Sequence, residues 1–167
     1  MKTIRFALVT VGAIALVFAY ATVRTTASAA PTGCDSFKGQ LTETTVPSPN
    51  DPLGRVIGAL SNGRVKGPMT SRFTAITPTA DGGLQVATDE VYVPSPGQNL
   101  TGTGVMQLMP DPSSSGAYLA DETLTITGGT GSLAGATGTI SLTGTAVGLL
   151  SPPGVLDLSY RGSICLA

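Results

Sequence analysis

Histidine and tryptophan are absent from the 167 residues, and cysteine occurs only twice. Without histidine, a Ser-His-Asp or Cys-His nucleophilic group has no base, and the usual zinc, copper and non-haem iron ligand sets cannot be assembled. No metal and no cofactor is therefore expected. Charge is also sparse, at 11% of residues. Three of the nine basic residues, Lys2, Arg5 and Arg24, stand in the first 24 positions, which leaves six basic against ten acidic residues in the rest of the chain. Phosphate binding needs a basic face, so nucleic acid is not an expected partner. No stretch beyond the first residues carries the periodicity of a long amphipathic helix.

The start of the chain is patterned as a leader. Lys2 and Arg5 precede an apolar run, Phe6 to Val23, and Ala27-Ser28-Ala29 offers small residues at a signal-peptidase site. The expectation is a signal peptide helix over residues 1–29, cleaved after Ala29, with a single domain over 30–167 and no membrane span once the leader is removed. A retained anchor is the alternative, since the 18 residues between Arg5 and Arg24 are at the short limit for a span. Export makes the protein secreted and places Cys34 and Cys165 in an oxidising compartment, where two cysteines favour a disulfide. The sequence leaves the oligomeric state open.

Apolar residues recur with a period of two through the remainder. Strands are expected at about 37–46, 55–60, 64–77, 84–93, 99–109, 117–127, 136–147 and 155–164. Turn residues punctuate them: Pro47 to Pro52, Asn62-Gly63, Asp81-Gly82-Gly83, Pro94 to Gly97, Pro110 to Gly116 and Pro152-Pro153-Gly154. Eight short strands with frequent turns favour a barrel or a sandwich. An immunoglobulin sandwich is disfavoured by the missing core tryptophan and by cysteines at the two ends of the domain. The clearest alternation is in Asp121 to Gly138, where Thr123, Thr125 and Thr127 interleave with Leu124 and Ile126 before the glycines of Thr127 to Gly131. Those glycines mimic a dinucleotide fingerprint. They are followed by Thr- and Gly-rich sequence and not by helix formers, and too few residues remain for that fold.

The segment ETLTITGGTGSLAGATG, Glu122 to Gly138, resembles one that recurs in secreted bacterial members of the allene oxide cyclase and dirigent-like barrel family. The spacing of TAITPTADGG, Thr74 to Gly83, and the ending YRGSIC, Tyr160 to Cys165, are similar as well. Leu133 departs from the pattern, standing where many relatives carry an aromatic residue. The resemblance implies an all-β fold, an eight-stranded antiparallel β-barrel in which Glu122 to Gly138 joins two late strands. In a closed barrel the first and last strands are neighbours, so a Cys34–Cys165 disulfide would staple the seam.

Every glutamate of the chain falls on the apolar phase of its strand. Glu43 is in step with Phe37 and Leu41, Glu90 with Leu84, Val86 and Tyr92, and Glu122 with Tyr118, Leu124 and Ile126. A carboxylate on a core face is costly unless paired or hydrogen-bonded. Two accounts follow. In one, each Glu accepts a bond from a Tyr hydroxyl or pairs with Arg72, Arg64 or Arg161 and has a structural role only. In the other, Glu122, Tyr118, Glu90, Tyr92, Glu43 and Tyr160 line a lumen that takes a small, mostly apolar molecule. The function expected is a secreted barrel module that binds such a molecule or serves as a stable extracellular module. The alternative, implied by the family, is a cofactor-independent cyclase, isomerase or dirigent-type coupling protein using lumen Glu and Tyr. A bulge, made plausible in strand five by Thr101-Gly102-Thr103-Gly104, would turn a side chain outward. The Ser and Thr between apolar positions are expected on the outer face.

Overall fold

The computed structural model describes residues 33–62 and 66–166. The expected leader, and with it the cleavage site, lies outside the described residues, as do Gly63 and Arg64. Eight strands follow one another: β1 (Gly33–Val46), β2 (Arg55–Ser61), β3 (Gly67–Pro78), β4 (Leu84–Ser95), β5 (Gln98–Pro110), β6 (Ala117–Gly129), β7 (Thr137–Val147) and β8 (Val155–Leu166). Each pairs antiparallel with the next, and β8 pairs with β1, so the sheet closes into a barrel. The eight strands coincide with those expected to within a few residues. β1 begins earlier than its apolar pattern suggests, at Gly33, because Gly33 to Phe37 pair with the end of β8.

Closure brings Cys34 opposite Cys165. The two are disulfide-bonded across the seam, with their Cα atoms 4.1 Å apart. Period-two patterning accounts for the wall. On β6 Leu124 and Ile126 are buried, while Thr123, Thr125 and Thr127 face solvent. Leu41, Met106, Leu108, Leu142, Leu156 and Leu158 fill the interior from the other strands. An eight-stranded barrel is just wide enough for such side chains to meet across it.

Bulges fall where phase has to be corrected. The β5–β6 register steps at Thr101–Gly102, the site expected from sequence, but the extra residue, Thr127, belongs to β6. Strand five therefore keeps Leu100, Gly102, Gly104, Met106 and Leu108 on one inward phase. A second step, between Phe73 and Ala75, sets Thr74 aside from the β3–β4 ladder. The glycine-rich connection after β6 forms a single 3-10 turn, Gly131–Leu133, instead of the helix a dinucleotide site would need. Asn62 has a φ of 56°, in the left-handed region, and opens the β2–β3 connection as its Asn-Gly sequence suggests.

Candidate functional site

All three glutamates point into the barrel. Glu43, Glu90 and Glu122 are only 2–3% exposed, whereas all seven aspartates occupy exposed or half-buried positions. The partition has a local cause. Each Glu is two residues from buried apolar neighbours on its own strand, so the pleat that buries Leu41, Tyr92 or Leu124 carries the carboxyl inward as well.

Four of the six expected residues are brought together. Strand β4 supplies an inward row of Thr88, Glu90 and Tyr92. The Tyr92 hydroxyl donates to Glu90 Oε2. The Thr88 hydroxyl lies 3.2 Å from Glu90 Oε1 and 3.0 Å from Glu122 Oε1, and its single proton serves one of them at a time. Glu122 reaches across from β6 and shares a hydrogen bond with Glu90. Glu43 enters from β1 close enough that the charge of Glu90 raises its pKa.

The other two stand apart. Tyr118 is half-buried at the opposite end of β6, beside Pro110 and Ala146 in register, and takes no part in these bonds. Tyr160 is buried against Phe37, their ring centroids 5.9 Å apart. Burial raises its hydroxyl pKa. Neither Arg72 nor Arg161 pairs with these glutamates: Arg72 bonds to Asp89 on the outer face at 2.6 Å, and Arg161 is exposed there as well. Arg64 lies outside the described residues.

Burial sets the electrostatics. Desolvation raises the pKa of Glu43 to about 8, with a smaller contribution from Glu90. Glu122 is pushed well above the ordinary carboxylate range by burial, then by the charges of Glu90 and Glu43. Glu90 is also raised by burial, and its bonds from Tyr92, Glu122 and Thr88 partly oppose that rise. Tyr92 is raised by burial and by the same carboxylates, so its phenol stays protonated and donates. At neutral pH Glu43 thus holds its proton.

Several members of this arrangement were not singled out from sequence. Thr88 and Ser71 are buried hydroxyl residues on inward phases, although Ser and Thr were assigned to the outer face. Ser71 is the register partner of Glu90, and its Oγ is buried with no hydrogen-bond partner. Glycines make room for the acids. A Cβ at Gly104 would collide with Glu122 Oε1 and Thr88 Oγ1, and one at Gly58 would stand 2.7 Å from Glu43 Cγ. The signal available in the sequence was parity: Thr88 is in step with Val86 and Glu90, and Ser71 with Phe73.

The inward row of β4 leads in from one mouth of the barrel. There a cleft of about 180 Å³ is lined by Phe37, Pro94, Leu100, Leu133, Ile164 and neighbours. Leu100 is the register partner of Tyr92, so the inward order from the cleft is Tyr92, Glu90, Thr88. Met69 lies beside Tyr92 in register and Met106 beside Glu122, and both are buried. Among the described residues no set of three acidic or cysteine side chains is arranged to hold a metal ion. Compared with protein-family models, with curated proteins and with solved structures, the chain matches none of them.

Proposed function

We propose that the protein is a secreted β-barrel module that takes a small, mostly apolar molecule through the Leu100–Leu133 mouth and anchors one polar group of it on the Glu90–Glu122–Tyr92 cluster. The observation that carries this reading is the Ser71 hydroxyl, buried beside Glu90 with no partner, next to three carboxyls converging from three strands. A buried polar group without a partner costs about 1–3 kcal/mol, and a purely structural core of this size is more stable without it. A ligand hydroxyl or carbonyl placed between Ser71 and Glu90 would satisfy both. Met69 and Met106, unbranched and free to change rotamer, are the side chains that can yield space. The disulfide is compatible with an extracellular location, and the leader pattern adds a mature chain starting at Ala30.

The test is native mass spectrometry of the protein purified from culture medium, followed by titration with a neutral apolar fluorophore. Bound small molecules in the wild type, with fluorophore binding weakened by Glu122→Gln and by Ser71→Ala, support the reading. A ligand-free protein with no fluorophore uptake overturns it. A second reading, proton-assisted cyclisation or coupling of a bound intermediate as in the resembled family, is favoured by one observation. Glu122 is buried beside a second carboxyl, which raises its pKa in the direction a general acid needs.

A further inference from the structure

The outer wall opposite the lumen carries a second constellation. Lys38 on β1 and Arg161 on β8 are register partners, and both are exposed. Like charges directly opposed across an antiparallel pair are destabilising. Neither cation has an ion pair among the described residues, in contrast with Arg72, which bonds to Asp89. Two opposed, unneutralised cations on a chain with more acidic than basic residues are a local exception to its charge.

Their nearest neighbours are hydroxyl and amide groups, with the exposed Asp121 and Asp157 bordering the grid beyond them. Ser141 on β7 is the next partner of Arg161. On one side lies the row Ser36, Ser163 and Thr139, and on the other Gln40, Ser159 and Thr143, all in register across β1, β8 and β7. Adjacent strands set these groups about 4.8 Å apart, and successive outward residues about 6.6 Å apart. Two shallow grooves of about 620 and 670 Å³ run over this grid and share Lys38, Ser141 and Arg161. No aromatic ring stands exposed on it, since Phe37 and Tyr160 turn inward.

We propose that this face binds an acidic carbohydrate, a polymer whose carboxylates seat between Lys38 and Arg161 and whose hydroxyls bond to the Ser, Thr and Gln rows. Charge complementarity selects an anion. A dense polyanion such as nucleic acid is disfavoured by the small number of cations. A neutral sugar is disfavoured because the face has no ring to stack on. A polymer with spaced carboxylates and many hydroxyls matches both the isolated cation pair and the grid around it.

The experiment is binding of the intact protein to polygalacturonate, with dextran as the neutral polymer and polyglutamate as the polyanion without sugar hydroxyls. Polygalacturonate is expected to bind at least tenfold more tightly than either, and to weaken as salt rises. Arg161→Gln and Lys38→Gln should each lower affinity about fivefold or more. Ser141→Ala with Thr143→Val should lower it with the salt dependence unchanged. Melting temperatures within the wild-type range show that the variants fold. Equal binding of polyglutamate and polygalacturonate, affinity unmoved by Arg161→Gln, or no binding to polygalacturonate overturns the proposal. Fluorophore uptake by the lumen is independent of these variants, so this outcome is separate from that of the interior site.

Discussion

Glu122 is the residue on which the interior chemistry turns. It is 2% exposed and hydrogen-bonded to Glu90, and burial raises its pKa well above the ordinary carboxylate range. Glu122→Gln keeps the shape and a donor while removing the ionisation. The variant is expected to match the wild type near pH 5 and to exceed its melting temperature near pH 8.5, flattening the pH profile. Thermal melts at the two pH values decide it, and a variant that melts well below the wild type at both would show the acid to be structurally required. Gly104→Ala tests the same group from the opposite strand. Its methyl would collide with Glu122 and Thr88, so a loss of about 1–3 kcal/mol in urea unfolding is expected. The inward phase of the three glutamates was legible because alternation around them is regular. Thr88 and Ser71 were not, since a hydroxyl of that size suits either face of a sheet and only the closed barrel decides which one it gets.

Among the elements, β4 contributes most to the interior group, with Thr88, Glu90 and Tyr92 on one face within five residues. That concentration follows from period two once the register is fixed by β3 and β5. The strand ends depend on side-chain ties as well. At the end of β1, the buried Thr45 hydroxyl accepts from the Gly154 N–H of the loop before β8, and the Thr45 N–H donates to the Gly154 carbonyl at 2.9 Å. Thr45→Ala leaves the Gly154 N–H without its acceptor and should cost about 1–2 kcal/mol, read from the urea midpoint. Strand positions and turn residues were readable in advance because Pro, Gly and Asn-Gly punctuate the alternation. The strand that holds a bulge was not: Thr101-Gly102 marks the step, but the extra residue sits in the partner, Thr127, and pairing alone assigns it.

For the whole molecule, closure and burial each carry an expected outcome. The Cys34–Cys165 bond encloses 131 residues, and for loops of this order the chain-entropy estimate is about 3–5 kcal/mol. Reduction should therefore lower the melting temperature by roughly 10 °C, with Cys34→Ser/Cys165→Ser reproducing the loss. The buried acids set the pH dependence. Their pKa values are raised in the folded state, to about 8 for Glu43, so the folded chain binds more protons than the unfolded one. Stability is fully present below the unfolded value near 4.5 and is lost as pH rises toward 8. Melting temperatures should fall steadily, by roughly 10 °C or more, between about pH 4.5 and pH 8 and level off above that, where both states are ionised. Strand number, turn placement, a cysteine pair at the domain ends and the inward phase of Glu43, Glu90 and Glu122 were all written in residue order and two-residue alternation, which are local properties of the chain. The tertiary structure alone decided which of those inward groups meet. Alternation says that a side chain points into the barrel but not how far along the axis it lies. The register between strands set Tyr92 and Thr88 among the carboxyls, left Tyr118 and Tyr160 apart, and placed Lys38 opposite Arg161 on the other side of the wall.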